Sequence, residues 1–431
     1  PASAASSGST LKIICADAGQ VIFTPPGSTQ YAYRYGPAIL IDGDRIDIWA
    51  SAPPLVSNGV RYGNDSIEYI RSTDGGKTWT EWKTVLYPTL NSEDQWSTCD
   101  PGAFKYGDYY YVGYTGSPEF RTNPDKEKQV NNLFIARAKN PEGPYEKWNG
   151  NGWGGDPYAI TRYSGDGVGC SMPSFTVKGD TLYMYYVDQT HPDQDWNSEG
   201  NISVSTFSLK DPNWPGNELS NKMCENKPEE VRYCPDIDKF IGFQLKGGWD
   251  YDSYVEIYES TDGVNFTKTS SFRNNFPHYA HNIGISGNNL GQLDLSIQNY
   301  IGTAYTPTGV EAWWGHWHTQ LIPLYIREEQ PSPTTSSQPS GSTDSSSQKP
   351  TTSSVGSTDG ESSETEVSEP QNSNIESTVS DDKDKDKEVN NKTEQQEETS
   401  YLWLYIVIGA VVVLAGAGTA VYFLVIKKKH V

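Results

Sequence analysis

The stretch Thr98–Thr115, TCDPGAFKYGDYYYVGYT, decides the fold of this chain. Asp100 and Pro101 open a short apolar run, a two-residue turn at Gly107-Asp108 follows, and an aromatic run completes the pattern. Two alternating runs joined by such a turn are the sequence signal of a β-hairpin. The stretch therefore predicts two antiparallel strands, and its opening residues are a marker that can be sought elsewhere in the chain.

Four other places in the sequence resemble this opening. GPAILIDGDRIDIWAS begins at Gly36 and MPSFTVKGDTLYMYYVD begins at Met172, whereas the segments at Cys234 and His281 are weaker copies. The five openers are spaced roughly 45 to 75 residues apart, which leaves room for four short strands in each interval. Repeats of this length, each burying its faces against its neighbours, are typical of propeller blades.

We therefore predict an all-β head, a five-bladed β-propeller, over residues 11–327. Alternating segments that suit the third strand of a blade support this prediction, and aromatic residues supply 12% of the chain. The candidate third strands are Ser66–Ser72, Leu133–Ala138, Ile202–Ser208 and Tyr254–Tyr258. A β-sandwich is the alternative, and it explains the strands but not the recurrence of the opener.

The sequence outside the head predicts a surface protein. Residues 1–10 are small and polar and resemble the remnant left after removal of an export signal peptide. Residues 328–400 contain 17 acids against five lysines and few apolar side chains, which predicts a disordered acidic stalk. Residues 401–426 form an uncharged apolar run that is long enough for a transmembrane helix. The basic tail 427–431 favours a cytoplasmic C-terminus, so we expect a single-pass membrane protein at the cell surface with an extracellular head.

Charge and cysteine content narrow the possible partners. The chain has a net charge of −22, of which about −13 belongs to the head, and a negative head argues against nucleic acid as a partner. Five cysteines leave at least one thiol unpaired in a single chain, and Cys224 and Cys234 are candidates for a disulfide. No Cys/His spacing in the sequence resembles a zinc site, so no metal ligand is predicted from spacing. We expect the head to be monomeric.

Two segments predict a specific turn. Ser72–Trp79 matches the Asp-box pattern S-x-D-x-G-x-x-W, known from sialidases and other propellers, and Ser260–Phe266 is a shorter variant. The pattern indicates a β-turn between the third and fourth strands of a blade, with the aromatic residue packed beneath it. That turn lies on the face away from the usual pocket. A sialidase is disfavoured because the sequence offers no convincing set of three arginines to clamp a carboxylate.

Around the openers the sequence resembles the five-bladed furanosidase-like glycoside hydrolases, the superfamily that includes glycoside hydrolase families 43, 62, 32 and 117. The resemblance covers residues 31–326. It rests on the segments Cys99–Gly102, Pro141–Tyr145, Pro173–Phe175, Leu182–Tyr186 and Ala280–Gly284. It implies a glycosidase that acts on extracellular poly- or oligosaccharides in a central pocket without an organic cofactor. An axial calcium or sodium ion near His281 is compatible with it.

The resemblance also implies roles for the openers, because in such enzymes they converge on the propeller axis. Blade one supplies an aspartate as base or nucleophile, blade two an aspartate that tunes pKa values, and blade three a glutamate as general acid. Asp100 matches the blade-two aspartate, whereas Gly36 and Met172 stand where the other two carboxyls are expected. The first hypothesis is therefore a hydrolase whose catalytic base and general acid come from positions other than Gly36 and Met172. A non-catalytic surface glycan-binding protein is the second, and an adhesion protein with a protein partner is the third.

The catalytic candidates are Asp100, Asp188 and Asp94. Asp188 directly follows the aromatic strand of blade three, and Asp94 shortly precedes Asp100. The other titratable residues predicted on the pocket face are Asp17, Asp65, Glu93, Asp166, His191, Asp250 and Asp252.

Candidate substrate-binding residues surround the first and last openers. Arg34 is a potential partner for a carboxylate on the ligand or for Asp100. Aromatic side chains in the run Glu311–His318, EAWWGHWH, are suited to stack on the C–H faces of sugars. The alternative is that His281 is an axial histidine with its hydrogen bonds satisfied within the protein, and that the tryptophans of this run pack between blades. The predicted substrate-binding set is Arg34, Tyr35, Trp313, His281, Asn282, His316 and His318.

Overall fold

The computed structural model describes residues 9–26, 32–118, 120–123, 126–163, 168–190, 200–308 and 317–329. The chain divides into units 1–338 and 339–431, and the second unit lies outside the described residues, as do most of the predicted stalk and the whole apolar run 401–426. Within the described ranges no helix is long and apolar enough to cross a membrane.

The described residues form β-strands joined by turns. The first two strands are β1 (Thr10–Cys15) and β2 (Gln20–Phe23). Blade one and the small hairpin inserted in it consist of β3 (Tyr35–Asp42), β4 (Arg45–Ala52), β5 (Leu55–Ser57), β6 (Val60–Tyr62), β7 (Ser66–Ser72) and β8 (Lys83–Leu86). Blade two and its inserted hairpin consist of β9 (Ser97–Tyr106), β10 (Tyr109–Ser117), β11 (Phe120–Asn123), β12 (Lys126–Gln129), β13 (Asn132–Ala138) and β14 (Glu146–Lys147).

The remaining strands complete three more blades. Blade three consists of β15 (Gly169–Lys178), β16 (Thr181–Gln189), β17 (Asn201–Ser208) and β18 (Glu218–Met223). Blade four consists of β19 (Glu230–Cys234), β20 (Lys239–Lys246), β21 (Tyr254–Ser260) and β22 (Thr267–Phe272). Blade five begins with β23 (Ala280–Gly287), β24 (Asn299–Tyr305) and β25 (His318–Glu329).

The innermost strands close into a ring. Within each blade the strands pair antiparallel in order, and β1 completes blade five by pairing with β25. Each of β3, β9, β15, β19 and β23 contacts the innermost strand of the next blade, and β23 also pairs with β3 through Ser286 and Ile39. Both ends of the folded region therefore meet in one blade, which closes the five-bladed β-propeller that the sequence predicts.

The hydrophobic core lies in layers between neighbouring blades. Because side chains of a strand alternate between its two faces, Ile48 packs in the layer shared with blade five whereas the next residue, Trp49, packs in the layer shared with blade two. Corresponding layers separate blades two and three, three and four, and four and five. This arrangement holds the innermost strands rigidly around the axis.

The openers of blades one, two, three and five share one backbone feature, a left-handed residue at a β-bulge. Gly36, Asp100, Met172 and Asn282 all have positive φ, between 48° and 57°. Each lies at a break in the register between the first and second strands of its blade. A residue in the left-handed region at a β-bulge turns its side chain out of the regular alternation. Proline follows the first three openers, and proline is tolerated at a bulge because no ladder hydrogen bond is lost there.

Blade four differs from the prediction. Its innermost strand begins at Glu230, and its register with β20 is continuous, so it has no bulge. The predicted opener at Cys234-Pro235 is wrong, because Cys234 is the last residue of that strand and Pro235 belongs to the turn at the opposite end. The residues that face the pocket end of blade four are therefore Glu229 and Glu230.

The candidate disulfide between Cys224 and Cys234 does not form. All five cysteines are free and buried. Cys224 packs between blades three and four, whereas Cys234 packs between blades four and five. Burial raises the pKa of both thiols to about 12, so they act as small apolar core residues.

The two segments that match the Asp-box pattern connect the third and fourth strands of blades one and four. The Asp74 carboxylate accepts hydrogen bonds from the backbone nitrogens of Lys77 and Thr78 at 3.1 and 2.9 Å. In the second segment, Asp262 accepts from the backbone nitrogens of Val264 and Asn265 at 2.9 and 2.8 Å. These turns lie at the end of the propeller opposite the openers.

Candidate functional site

Asp100 lies at the centre of the candidate site. The bulge in β9 places it on the axis, and its backbone nitrogen donates to Ser51 Oγ of blade one at 2.7 Å. Its carboxylate accepts from the side-chain amide of Asn282, with 3.2 Å between Nδ2 and Oδ1. Asp100, Asn282 and Gly36 are therefore neighbours, since a Cβ on Gly36 would lie 3.4 Å from Asp100 Oδ1 and 3.5 Å from Asn282 Nδ2.

The surroundings of Asp100 raise the pKa of its carboxyl. Burial, together with the negative charge of Asp65, raises the pKa of this carboxyl from 3.8 to about 6, against the lowering effect of hydrogen bonds from Cys99 and Thr115. A carboxyl with a pKa near 6 holds a proton for part of the time near neutral pH. It is suited to act as a general acid or a general base.

Asp65 connects the site to the strands that carry it. Its Oδ1 accepts from the Tyr33 hydroxyl at 2.6 Å, and its Oδ2 accepts from Ser97 Oγ at 2.9 Å. Its backbone carbonyl accepts from the nitrogen of Thr98, at the start of β9. Asp65 is buried, and burial raises the pKa of its carboxyl although three side chains donate to it. It therefore holds the entry to β3 and the start of β9 in fixed relation.

An aromatic cluster forms one side of the site. The His281 ring stacks on Trp317 with centroids 4.3 Å apart, and Tyr35 lies 5.5 Å from His281 and 5.4 Å from Trp317. Trp249, 37% exposed, packs on the other members of this cluster, 4.5 Å from His281 and 5.0 Å from Trp317. Burial lowers the pKa of His281 to about 3, so its ring is neutral at physiological pH. The predicted neighbours Tyr35 and His281 are thus brought together.

Glu230 is the residue that the sequence prediction missed in blade four. Its carboxylate pairs with Arg232, 2.8 Å from Oε2 to Nη2, and accepts from Ser174 Oγ at 3.2 Å. Arg232 also donates to Ser174 Oγ and to the carbonyl of Ile285, so it ties blades three, four and five together. Burial raises the pKa of Glu230, and Arg232 opposes that shift. The sequence does contain a signal for this residue, because Glu230 and Arg232 alternate with Val231 as in a strand. The assignment of Cys234-Pro235 as the opener placed the start of the strand after these residues.

Two predicted catalytic residues make their contacts away from Asp100. The buried Asp94 carboxylate pairs with Lys147, 2.5 Å from Oδ2 to Nζ, and accepts from the Tyr114 hydroxyl at 2.9 Å. Asp188 accepts from Ser203 Oγ at 3.0 Å within blade three, and from the backbone nitrogen of Thr190 at 3.2 Å. These partners give both carboxylates a structural role, and neither contributes to the function proposed below.

Arg34 does not pair with Asp100. Its guanidinium pairs with Glu68 of blade one at 2.5 Å and lies over the rings of Phe23 and Trp82, with centroids 4.6 and 5.6 Å away. The predicted pairing of Arg34 with Asp100 is therefore wrong, because the partner of Arg34 is Glu68 on the third strand of blade one. His318 begins β25, where Thr24 Oγ1 lies 3.4 Å from its Nδ1 and Tyr305 lies 5.6 Å from its ring. Burial lowers the pKa of His318.

Several residues of the predicted substrate-binding and acidic sets lie outside the described residues. This applies to Trp313 and His316, and among the acidic and histidine candidates to Asp166 and His191. In the described part of the chain, no group of three or more His, Cys, Asp or Glu side chains is arranged to hold a metal ion. An axial ion near His281 stays a prediction.

Comparison with known proteins identifies the fold. No protein-family model matches the chain, and no curated protein matches its sequence. The catalytic domain of the family 62 α-L-arabinofuranosidase from Coprinopsis cinerea is similar, with a TM-score of 0.50 and 12% identity over 74% of this chain and 98% of that one. The chain has the fold of the five-bladed furanosidase-like glycoside hydrolases. The resemblance seen at the openers is thereby confirmed for the fold.

Two further solved structures are similar. One is a family 117 glycoside hydrolase from the marine bacterium Zobellia galactanivorans, with a TM-score of 0.47 and 14% identity over 75% of this chain and 92% of that one. The other is an α-L-arabinofuranosidase from Podospora anserina in complex with cellotriose, with a TM-score of 0.46 and 11% identity over 74% of this chain and 98% of that one. A structural likeness at 12% identity concerns the fold alone, and fold does not determine the chemistry of a site.

Proposed function

We propose that the chain is a glycoside hydrolase that binds poly- or oligosaccharides in the central pocket and uses Asp100 as its acid–base carboxyl. The observation that carries this proposal is the position of Asp100 at the bulge of β9, where its side chain is partly exposed, accepts from Asn282 and has a pKa raised to about 6. In its protonated form it donates to the glycosidic oxygen as the bond to the anomeric carbon breaks. In its ionised form it accepts the proton of the attacking water.

The surrounding groups orient this carboxyl and the sugar. Asn282 holds Oδ1, and the neutral ring of His281 stands beside it without adding a competing positive charge. Trp249, 37% exposed, supplies the aromatic face against which sugar C–H groups pack, and the buried rings of Trp317 and Tyr35 support it from beneath. Gly36 lets the side chains of Asp100 and Asn282 lie close to β3, because a Cβ at this position would already contact Asp100 Oδ1 and Asn282 Nδ2.

The charges near the pocket favour neutral sugars. Arg34 pairs with Glu68 and Arg232 pairs with Glu230, so these two cations are already engaged. Asp100 and Asp65 add negative charge to the site. An anionic sugar would be repelled by these carboxylates, whereas the hydroxyl groups of a neutral sugar donate to them. We propose neutral polysaccharides as the substrate class.

A non-catalytic glycan-binding protein is the second candidate, and one observation favours it. Hydrolysis with a glycosyl oxocarbenium-like transition state normally uses two carboxyl groups. Gly36 and Met172 occupy the same left-handed bulge position as Asp100 in their blades, and neither carries a carboxyl. Under this second proposal, the pocket binds a sugar through Asp100 and the aromatic cluster and does not cleave it.

One experiment separates the two candidates. The full-length chain is incubated with cellotriose, xylotriose and arabinoxylan as neutral sugars, and with polygalacturonate and sialyllactose as acidic ones. Released reducing ends report hydrolysis, and isothermal titration calorimetry reports binding. We expect hydrolysis of a neutral sugar that Asp100→Asn abolishes and Asp238→Asn leaves intact, since Asp238 lies in an exposed turn at the opposite end. Binding without released sugar supports the second candidate, and no binding by the wild-type chain refutes both.

We also propose display at the cell surface, based on the sequence alone. The apolar run 401–426 and the following lysines suit a membrane anchor, and the acidic segment 328–400 suits a stalk. Treating intact cells with protease should release the head if it is outside. A head that resists protease on intact cells and is digested after lysis would contradict this proposal.

A further inference from the structure

Two exposed aromatic residues lie in one turn on the pocket face. The turn joins β20 to β21 and contains Trp249-Asp250-Tyr251-Asp252, which we call the WDYD turn. Trp249 is 37% exposed and Tyr251 is 50% exposed. The turn lies at the same end of the propeller as Asp100, because that is where the second and third strands of a blade connect. Exposed tryptophan and tyrosine at a pocket mouth expose apolar surface that a ligand can cover.

The backbone of the WDYD turn is held in place from several sides. Trp249 has a φ of 70° and donates its backbone nitrogen to the carbonyl of Ala280 at 2.9 Å. The carbonyl of Asp250 accepts from the backbone nitrogen of Tyr279 at 2.9 Å and from Ser253 Oγ at 2.7 Å. A tryptophan in the left-handed region is strained by about 1 kcal/mol or more. Such strain persists only where the surrounding contacts impose it, so the turn is preorganised.

Each aromatic ring is supported by a histidine of blade five or of the segment leading into it. Trp249 packs against His281, 4.5 Å away, and thereby connects directly to the Asp100 pocket. Tyr251 stacks on His278 with centroids 3.8 Å apart and an interplanar angle of 17°. The WDYD turn therefore presents two exposed aromatic rings close together in the chain, one in contact with His281 and one in contact with His278.

Aromatic rings and carboxylates alternate along the WDYD turn, and this combination is suited to binding a sugar. An aromatic face packs on the C–H surface of a sugar ring, and a neighbouring carboxylate accepts hydrogen bonds from its hydroxyl groups. Asp250 and Asp252 are exposed beside the two rings. Their negative charge disfavours a uronic or sialic acid residue at this place.

We propose that the WDYD turn is a second sugar-binding subsite, which binds a neutral sugar unit of the chain whose neighbouring unit occupies the Asp100 pocket. This inference rests on the proposed function and specifies it, because a ligand that spans both places must be an oligo- or polysaccharide. A monosaccharide in the pocket does not reach the subsite.

The test measures affinity as a function of ligand length. The full-length chain and its variants are titrated calorimetrically with xylose, xylotriose and cellotriose. Tyr251→Ala is the first variant, because Tyr251 is half exposed and its loss leaves the core intact. We expect Tyr251→Ala and Trp249→Ala to weaken binding of the trisaccharides roughly tenfold or more, and Tyr251→Ala to leave the affinity for xylose unchanged. Trp249→Phe should keep most of the affinity.

Tyr325→Ala is the matched control, because Tyr325 is 48% exposed on β25 and lies outside the pocket face. The subsite is refuted if the wild-type chain binds a trisaccharide and Tyr251→Ala and Trp249→Ala bind it equally well. That result leaves the proposed function standing. If the wild-type chain binds none of these sugars or those of the wider panel, the proposed function is refuted and the subsite with it. Replacing Asp250 and Asp252 by Asn should improve binding of trigalacturonic acid, and no improvement would refute the role given to the two carboxylates.

Discussion

The side-chain amide of Asn282 donates to Asp100 across the propeller axis, with 3.2 Å between Nδ2 and Oδ1, although 182 positions separate the two residues in the sequence. Both lie at left-handed bulges, one in blade five and one in blade two. A hydrogen bond donated to a carboxylate stabilises its ionised form. We therefore expect Asn282 to oppose the rise in the pKa of Asp100 that burial causes.

Replacing Asn282 tests this relationship. In Asn282→Ala the donor is lost, so the pKa of Asp100 should rise further above 6. Carbon-13 titration of labelled aspartate carboxyls measures this, with the Asp100 signal assigned from its absence in Asp100→Asn. Asn282→Gln, which keeps an amide, is the control for a change in packing. An unchanged or lowered pKa in Asn282→Ala would contradict the role of the amide.

Asp65→Asn should shift the same pKa in the opposite direction. The negative charge of Asp65 raises the pKa of Asp100, and asparagine removes that charge while keeping an acceptor for Tyr33. The pKa of Asp100 should fall, and the acidic limb of any pH–activity profile should move to lower pH. Arg61, the cation that acts on Asp65, also influences the size of the shift. Equal pKa values of Asp100 in Asp65→Asn and wild type would refute the coupling.

Asp100 should reduce stability at neutral pH. Its pKa is about 6 in the folded chain and 3.8 when unperturbed, so the folded state retains a proton that the unfolded state loses between these values. The free energy of unfolding therefore falls as pH rises from about 4 to 6, by about 3 kcal/mol. Asp100→Asn should accordingly be more stable than wild type at pH 7, and the difference should vanish below pH 4. Thermal unfolding at both pH values measures this.

A carboxylate with the opposite shift provides the control. Hydrogen bonds from Asn265, Val264 and Ser260 keep the pKa of Asp262 low. Its contribution to stability is present above the unfolded pKa and is lost as pH falls through the folded pKa. Asp262→Asn should therefore lower the melting temperature at pH 7. If Asp100→Asn behaved in the same way as Asp262→Asn, the raised pKa of Asp100 would be refuted.

The Lys147–Asp94 pair should be a major contributor to the stability of blade two. Lys147 also donates to the carbonyl of Tyr87 and to Thr89 Oγ1, so it fastens the loop that precedes β9. Lys147→Met leaves a buried carboxylate without its cation and should cost about 3–5 kcal/mol. Urea unfolding measures the loss.

Two variants complete that test. Lys178→Met removes an exposed partner of Asp238 and should cost at most about 1 kcal/mol. Adding Asp94→Asn to Lys147→Met should restore part of the lost stability, because the unpaired charge disappears. Equal losses in Lys147→Met and Lys178→Met would contradict the structural role of the buried pair.

The local pattern of the sequence was sufficient to predict the hairpins and the third strands. The Gly107-Asp108 turn lies between β9 and β10, and Ser66–Ser72 is the third strand of blade one. These features depend on alternation and turn chemistry within a few residues. The same local information misled at Cys234-Pro235, where a proline after a buried residue resembled an opener although blade four has no bulge.

The pairing of charged groups could not be predicted in this way. Asp94 finds Lys147 at a separation of 53 residues, and Arg34 finds Glu68 rather than Asp100. Trp249 was missed because its contact with His281 depends on how a turn of blade four meets the first strand of blade five. Contacts of this kind arise from the packing of blades, which leaves no periodic trace in the sequence.

The sequence by itself determined the number of blades, the class of each strand and the position of Asp100 at an opener, because repeated local patterns specify local backbone geometry. The tertiary structure decided which side chains surround Asp100, which carboxylates are already paired, and which aromatic rings are exposed beside the pocket. The physical reason is that burial and ion pairing depend on which blades meet, and the closed ring brings together residues that are distant along the chain.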